Sequence, residues 1–313
     1  MNHSAHEYFR HEALFYAGEE EFLAGTVPFI RDAVWGGEPV LVAVSQSRAR
    51  AIANELNGEA DAVHFVDMTE LGRNPACIIP AWSDFVEAHG ARGRPLRGIG
   101  EPIWADRSPA EVVECQRHES LLNLAFADTP SFWLVCPYDT DALESAVIEE
   151  AQRSHPYLSM DGTQLESASY SGTEFAAEPF RAPLSKPTGS VHTLSFDADG
   201  VPPLRELVAR EASDAGIGEG RKNDLVLAVS ELATNSIRYG GGHGVLRHWR
   251  DGEMLVCEIS DHGTIDEPLA GRVRPDGGEI GGFGLWLVNQ LCDLVQIRSF
   301  ESGNVARMHV RVE

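Results

Sequence analysis

This sequence lacks the features that mark membrane, secreted and nucleic-acid-binding proteins. No stretch reaches 18 consecutive apolar residues, and the start MNHSAHEYFRHEA is polar, so neither a membrane-spanning helix nor a secretory signal is predicted. Basic residues are few, because 25 lysines and arginines stand against 48 aspartates and glutamates, giving a formal charge of -23. Such a charge repels a phosphate backbone and disfavours direct binding of nucleic acid. We expect a cytoplasmic protein that contacts neither nucleic acid nor membrane.

Cysteine is also scarce and widely spaced. The five cysteines are Cys77, Cys115, Cys136, Cys257 and Cys292, an odd number without a C-x-x-C pair. This pattern is typical of reduced thiols in the cytosol, and it disfavours both disulfides and a zinc site. Oxidant sensing by Cys115 or Cys136 is an alternative, although buried unreactive thiols are commoner.

The sequence does contain enough apolar material for two domains, since 43% of its 313 residues are hydrophobic. In residues 1–156, short apolar runs alternate with helical patterns. The predicted strands are residues 39–45, 62–67, 96–102 and 132–137. The predicted helices are residues 19–35, 47–56, 75–89, 108–126 and 139–154. Strands that are almost wholly apolar and alternate with helices predict an α/β domain with a mainly parallel sheet.

Residues 157–189 are rich in Ser, Gly, Pro and Thr and have no sustained periodicity, so they are predicted to be a linker. Residues 190–313 follow a different pattern, with long helices at 203–215 and 219–239. The predicted strands there are residues 191–196, 245–249, 254–260, 294–300 and 305–312. Apolar and polar residues alternate in the last of them, which predicts an antiparallel sheet covered on one side. The expected fold of this part is an α+β two-layer sandwich.

Three segments of residues 190–313 carry the chemistry. In the helix 219–239, Glu231 and Asn235 stand four residues apart and so share one face, with Arg238 one turn further on. A carboxamide oxygen is a hard ligand suited to Mg²⁺, and a neighbouring carboxylate can orient a hydroxyl group or a water molecule. Taken alone, this spacing is more often that of a solvated helix face.

The second and third segments are rich in glycine. Asp261 ends an apolar strand and is followed by Gly263, so the carboxylate could accept a hydrogen bond from an exocyclic amine such as that of adenine. An aspartate and glycine at a strand end more often form only a turn. Further on, a loop containing Gly281, Gly282 and Gly284 runs directly into an apolar helix at Leu285. Free amides at such a helix start favour a bound phosphate.

Together, in this order and within about 60 residues, the three segments resemble the motifs of the GHKL (Bergerat) ATPase superfamily, and specifically its anti-sigma serine kinases. The resemblance covers residues 190–313. It implies that Glu231 is the general base, Asn235 the Mg²⁺ ligand, and Asp261 with Gly263 the adenine contact. It places Arg238, Gly281, Gly282, Gly284 and Leu285 near the phosphates. The sequence departs from the family at Ile265, where a glycine is usual, and at Asn304, where a threonine is usual.

Residues 1–156 resemble the MEDS sensory domain. The phrases that carry the resemblance are residues 11–16, 37–40 and 114–119. A phosphate-binding G-x-x-x-x-G-K-[ST] loop is missing, and Leu122 stands where a zinc protease would need its second histidine. A ligand pocket could be formed by the polar residues Glu101, Glu114, Arg117, His118 and Glu119. The simpler interpretation is an ion pair between Glu114 and Arg117 on one helix face.

The two resemblances imply a cytoplasmic regulator of transcription and stress response that binds ATP and Mg²⁺. It would sequester a sigma factor and phosphorylate a serine of an anti-anti-sigma (STAS-type) partner, and its sensory domain would respond to an unknown small molecule or redox signal. Two alternatives stay open. One is an ATP-dependent binding module with little catalysis, which the altered residue 265 favours. The other is a sensor histidine kinase, which needs a dimerising helical hairpin that residues 157–189 do not predict. Homodimerisation is left open.

Overall fold

The computed structural model describes residues 8–160, 162–173, 182–187, 189–275 and 282–312. The chain forms two compact units, Met1–Ala176 and Ala177–Glu313. Within the described ranges, no helix combines the length and the apolar character needed to cross a membrane.

The first unit is built on a seven-stranded sheet with the order β3-β2-β4-β5-β1-β6-β7. Its strands are β1 (Arg10–Tyr16), β2 (Val40–Val44), β3 (Val63–Asp67), β4 (Leu96–Gly100), β5 (Phe132–Asp139), β6 (Tyr157–Met160) and β7 (Thr163–Glu166). All neighbours are parallel except β6 and β7. All five residues of β2 are apolar and buried, as expected for a parallel strand covered on both faces. The predicted mainly parallel α/β fold is confirmed.

Six α-helices of the first unit lie among the described residues. They are α1 (Gly18–Gly36), α2 (Gln46–Leu56), α3 (Met68–Leu71), α4 (Ile78–His89), α5 (Pro109–Ala125) and α6 (Ser145–Ser154). The start of α5 is fixed by a capping box, in which the Ser108 side chain accepts from the Glu111 amide and the Glu111 side chain accepts from the Ser108 amide. The predicted helix 139–154 begins late, because Asp139 still belongs to the parallel strand β5.

The segment predicted as a linker is partly strand. Tyr157–Met160 pairs in parallel with β1, and Thr163–Glu166 returns antiparallel beside it. Without them β1 would be an exposed sheet edge, whose unpaired amides and carbonyls favour a further strand. The guanidinium of Arg10 also lies 4.4 Å from the ring centroid of Tyr157. The regular structure of the first unit therefore continues to Glu166, beyond the predicted boundary at residue 156.

The second unit is a five-stranded antiparallel sheet with the order β11-β12-β10-β9-β8. The strands are β8 (His192–Phe196), β9 (Gly244–Asp251), β10 (Met254–Asp261), β11 (Leu294–Phe300) and β12 (Gly303–Arg311). The helices are α7 (Val201–Asp214), α8 (Glu219–Tyr239) and α9 (Phe283–Leu291). Alternate residues of the central strands, such as Cys257 and Met308, pack with the helices in one core. This arrangement confirms the predicted α+β sandwich.

The sequence predicts that the polar face of this sheet is open to solvent, but the structure buries residues of that face. Glu258 and Arg307, on neighbouring strands, are 3% and 4% exposed and form a salt bridge of 2.6 Å. Arg298, also buried on this sheet, donates from Nε to the carbonyl oxygen of Ala182 at 3.1 Å. A period of two identifies the polar face, but it does not reveal that ion pairing and an overlying segment bury that face.

Candidate functional site

The helix α8 brings Glu231 and Asn235 to the site. Seven residues of α8 are buried, while Glu231 and Asn235 remain half-buried at its surface. Both lie beside the start of α9, because a Cβ atom added to Gly284 would lie 3.1 Å from Asn235 Nδ2 and 3.1 Å from Glu231 Oε2. With glycine at residue 284, the backbone of α9 approaches the carboxylate and the carboxamide closely, and a side chain there would require these two groups to move by a few tenths of an ångström.

Asp261 lies at the end of β10, and two donors fix its carboxylate. Ser236 Oγ donates to Oδ2 at 2.6 Å, and the amide of Gly263 donates to Oδ1 at 2.8 Å. Gly240, which ends α8, makes room for this side chain, since a Cβ atom at that position would lie 2.5 Å from Asp261 Cγ. Each carboxylate oxygen keeps a further lone pair, so the site offers an immobile acceptor.

Asn304 stands directly across from Asp261 in the pairing of β10 with β12. Its Oδ1 accepts a hydrogen bond of 2.7 Å from Ser299 Oγ, and Ser299 Oγ in turn accepts one of 3.0 Å from the amide of Ile265. This chain fixes the orientation of the Asn304 carboxamide and leaves its NH₂ group as a donor beside the Asp261 acceptor. Ile265 and Asn304, the two positions at which the sequence departs from the motifs it resembles, are thus joined through Ser299.

The described part of the glycine-rich loop leads into α9. Gly282 has a φ of +94° and immediately precedes Phe283, the first residue of α9. The first amides of a helix have no partner within it and attract anions. Gly281, which the sequence also assigns to phosphate binding, lies outside the described residues.

These elements enclose a cavity of about 200 Å³. Its described lining is Leu232, Asn235, Ser236, Tyr239, Gly240, Ile259, Asp261, Thr264, Ile265, Gly282, Gly284, Leu285, Asn304 and Ala306. Five predicted site residues are therefore at the cavity, and Glu231 and Gly263 adjoin it through Gly284 and Asp261. Arg238 is exposed on the last turn of α8 and is not in this lining. The sequence analysis did not predict Ser236 as a site residue, although it directly follows Asn235. It noted Asn304 only as a replacement for the usual threonine and assigned it no role.

In the first unit, the polar residues proposed for a pocket do not come together. Glu114 and Arg117 form the simpler alternative, an ion pair of 3.3 Å, and it is buried. Glu101 belongs to another group, where it accepts from Tyr16 Oη at 2.6 Å and pairs with Arg48 Nε at 2.9 Å. Burial raises the pKa of Glu101 to about 7, although the nearby Arg48 opposes the change.

Glu119 belongs to a third group, with His11 at 3.1 Å and His155 at 3.2 Å. Glu101, the Glu114–Arg117 pair and Glu119 thus each have partners of their own.

Family comparisons agree with this division of the chain. Residues 194–310 match the family model of the histidine kinase-like ATPase domain. Residues 10–156 match that of MEDS, the methanogen/methylotroph DcmR sensory domain. The chain therefore carries an N-terminal MEDS domain and a C-terminal histidine kinase-like ATPase domain, as its motifs predicted, and the ATPase match implies ATP binding.

Comparison with individual proteins adds little to this. No curated protein matches the chain significantly. Among solved structures, the RsbU and RsbW domains of a Mycobacterium tuberculosis protein align with 16% identity and a TM-score of 0.31, over 40% of this chain and 33% of that one. The Acinetobacter baumannii histidine kinase AdeS aligns with 14% identity and a TM-score of 0.24, over 40% of this chain and 69% of that one. The chain thus spans about a third of the first structure.

Proposed function

We propose that this protein is a signalling regulator whose ATPase domain binds ATP with Mg²⁺ and acts as a protein serine/threonine kinase of the anti-sigma type. It would sequester a sigma factor, phosphorylate a serine of a STAS-type anti-anti-sigma partner, and be controlled by its MEDS domain. The assignment of these partners rests on the resemblance of the short motif set to anti-sigma kinases. The catalytic assignment rests on the site itself.

The observation that carries the proposal is the placement of hydrogen-bond acceptors, hydrogen-bond donors and helix-start amides around the cavity. At one end, Asp261 accepts and Asn304 donates, which complements the amine donor and ring-nitrogen acceptor of adenine. At the other end, Gly282 and Gly284 offer the start of α9 to phosphate oxygens. Asn235 and Glu231 lie beside Gly284, where a terminal phosphate would be held. ATP fits this order of groups.

Asn235 would hold the metal ion. Its carboxamide oxygen is a hard donor, and a single protein ligand is consistent with Mg²⁺, which takes most of its other ligands from water and phosphate. Mg²⁺ held there would neutralise part of the charge of the phosphates. Asn235 lines the cavity and adjoins Gly284, so its carboxamide group lies on the side where phosphates would lie.

Glu231 would act on the attacking hydroxyl group. It is half-buried, and it forms no salt bridge with any described residue, so its carboxylate can accept a proton. As the serine oxygen bonds to the γ-phosphorus and the bond to the ADP oxygen breaks, the serine proton would pass to Glu231. The phosphoserine and ADP together then carry one more negative charge than ATP did, and this charge is balanced by the proton that Glu231 has taken. Positioning supplies most of the catalysis in such a transfer.

One observation favours a binding module without rapid transfer. Ile265 replaces a family glycine, and its amide is committed to Ser299. A branched side chain at the cavity can restrict the loop movements by which a kinase admits and releases its nucleotide. In this alternative, ATP would only order the protein, and regulation would occur by contact with a partner, with the exposed Arg238 available at the surface.

A transfer assay with radiolabelled ATP separates the two functions. Purified full-length protein is incubated with candidate STAS-type partners, and label on a partner serine is measured beside capture of sigma factors with and without ATP. The kinase proposal predicts label that requires Mg²⁺. Capture of a sigma factor and a partner without any label would refute the kinase and support the binding module.

A further inference from the structure

Four buried metal-binding side chains meet inside the first unit. His11, Glu119, Cys136 and His155 each offer one donor atom, and these atoms all lie within 4.8 Å of one another. The four residues are between 0% and 1% exposed. They come from four elements: β1, α5, β5 and the residue that ends α6. This group, the four-ligand cluster, shares no residue with the lining of the proposed ATP site.

Hydrogen bonds fix which nitrogen of each imidazole faces the cluster. Asn123 Nδ2 donates to the Ser154 carbonyl at 2.7 Å, so Asn123 Oδ1 must be the atom that lies 3.1 Å from His11 Nδ1. His155 Nδ1 lies 2.8 Å from the carbonyl oxygen of Ala151, which can only accept. Both Nδ1 atoms therefore carry the proton, and in the neutral rings both Nε2 atoms turn a lone pair inward.

Those lone pairs face another acceptor. His11 Nε2 lies 3.1 Å and His155 Nε2 lies 3.2 Å from the same atom, Glu119 Oε2. Among the described residues, neither His155 Nε2 nor Glu119 Oε1 has a hydrogen-bond partner, although both are buried. One proton can bridge only one of the two nitrogen–oxygen contacts. The Cys136 thiol has one hydrogen to give, and its sulfur lies 3.3 Å from His11 Nε2.

The four side chains therefore hold more buried acceptor atoms than donor hydrogens. A buried acceptor without a donor destabilises the fold, and a positive charge placed among these acceptors removes that cost. A divalent cation at the centre would bind all four ligand atoms at once.

We propose that the four-ligand cluster is a binding site for a divalent transition-metal ion, with zinc the best-suited occupant. Two imidazole nitrogens, a thiolate sulfur and a carboxylate oxygen form the mixed donor set that zinc accepts in tetrahedral geometry. Zinc bonds of about 2.0–2.3 Å correspond to donor separations of about 3.3–3.6 Å. The three contacts given above, at 3.1, 3.2 and 3.3 Å, are already close to that range.

The charges balance in this site. Binding of Zn²⁺ displaces one proton, from the Cys136 thiol to solvent, and leaves a thiolate, the Glu119 carboxylate and two neutral imidazoles. The bound assembly has no net charge, which suits a fully buried position. Asn123 and Ala151 would act as outer partners, because they hold the imidazoles in the required tautomer.

All four coordination positions come from the protein, so the ion would be structural or sensed, with no open position for catalysis. It would join the adjacent strands β1 and β5 to α5 and to the end of α6. Gain or loss of the ion would then alter the packing of the MEDS domain, which gives that domain a chemically defined signal.

The direct test is metal analysis of the full chain. Protein purified without a histidine tag or chelator is expected to contain close to one zinc per chain. After removal of the metal, addition of Co²⁺ should give the intense absorption of a tetrahedral site together with a thiolate-to-cobalt charge-transfer band. A metal-free wild type that keeps its circular dichroism and binds neither ion would overturn the proposal.

Matched variants assign the site. Cys136→Ser should lose the charge-transfer band, and its zinc affinity should fall at least tenfold. Cys115→Ser is the control and should keep both the band and the affinity. Cys115 is equally buried in the same unit, but its thiol donates to the Pro102 carbonyl. A charge-transfer band that survives Cys136→Ser would refute this ligand set. If Cys136→Ser fails to fold, His155→Gln and the wild-type cobalt spectrum decide the question. Magnesium bound with ATP would give no thiolate band.

Discussion

The two domains hold their polar groups in opposite ways. In the ATPase domain, Glu231 and Asn235 are half-buried, and Gly282 is exposed at the start of α9. In the MEDS domain, His11 and Glu119 are at most 1% exposed. The first arrangement would allow a ligand to enter and leave the folded domain, while the second would release a ligand only when the fold opens locally.

The difference has a physical origin. The ATPase cavity is lined by glycines, which leave room where a Cβ atom would clash with a neighbouring side chain, as at Gly240 beside Asp261. The four-ligand cluster is created by side chains whose orientation is fixed by further hydrogen bonds, as for His155 with Ala151. A cavity lined by glycines suits reversible binding of a large anion, whereas a buried set of side-chain ligands suits tight binding of a small cation.

The largest effect should come from Glu231→Gln, which tests whether the open site is catalytic. The amide keeps the shape of the side chain beside Gly284 but cannot take a proton, so phosphoryl transfer should fall by about 10²- to 10⁴-fold. ATP affinity should change little. Transfer is measured by label on a partner serine, and affinity by isothermal titration.

Glu219→Gln is the matched control, because Glu219 opens the same helix and pairs with Lys222 far from the cavity. It should leave both quantities unchanged. Equal transfer rates in Glu231→Gln and wild type would exclude Glu231 as the base and remove the main distinction between the open site and a simple binding pocket.

A smaller effect is expected from Asn235→Ala, which removes the proposed Mg²⁺ ligand. We expect ATP affinity in the presence of Mg²⁺ to fall by about 10- to 100-fold, the usual loss for a bond to a charged group. The fold should persist, since the side chain lines the cavity and is not part of the core. Titration with and without Mg²⁺ measures the loss, and Asn223→Ala, at an exposed position of the same helix, is the control. An unchanged dependence on Mg²⁺ would contradict the assignment.

The same contrast explains what the sequence could predict. Glu231 and Asn235 lie on one helix at a spacing that any reader of the sequence can recognise, and Gly282 and Gly284 lie in one loop. Local geometry brings such residues together whatever the rest of the chain does. The four-ligand cluster gives no such signal, because residues 11, 119, 136 and 155 meet only through the pairing of β1 with β5 and the packing of α5. The sequence-based preference against a zinc site considered only local patterns, namely closely spaced cysteines and the H-E-x-x-H motif.

Element boundaries failed for a related reason. The alternating apolar residues of β6 and β7 are separated by Asp161-Gly162, a recognisable hairpin signal, but the surrounding Ser, Gly and Thr content favoured a linker. What makes these residues strands is the edge of the sheet at β1, a partner far away in the sequence. The outer face of the second sheet was likewise predicted as exposed because its polar residues did not reveal their ion pairs.

Asp261→Asn should have a moderate effect, on the choice of base. Because the Gly263 amide requires an oxygen at Oδ1, the new NH₂ group must take the place of Oδ2 and face Ser236. That position then donates where it accepted before, so the preference for ATP over GTP should fall by about tenfold. Competition titrations measure the ratio, with Asp251→Asn at the far end of β9 as the control. An unaltered ratio would separate Asp261 from adenine and weaken the proposed order of groups in the cavity.

The smallest effect concerns stability, and it tests whether buried charge in the MEDS domain is costly when no ion relieves it. Glu101 faces Tyr16 and Arg48, and Arg48 also contacts Asp139 at 3.3 Å. Burial raises the pKa of Glu101 to about 7, well above its value of 4.5 in an unfolded chain. Between these two pH values the folded protein therefore binds more protons than the unfolded one, and its stability falls as the pH rises.

Glu101→Gln should remove that fall, because the amide stays neutral and can still accept from Tyr16. We expect wild type to lose on the order of 1–3 kcal/mol relative to the variant between pH 5 and pH 8. Thermal unfolding of the full chains at both pH values gives the difference, and titrations of His11 and Glu119 cancel because both proteins contain them. Glu87→Gln, at an exposed position of α4, should behave as wild type does. If the stability of wild type and of Glu101→Gln changes in parallel with pH, Arg48 fully offsets the cost of burying the Glu101 carboxylate. Burial alone would then not distinguish the two domains.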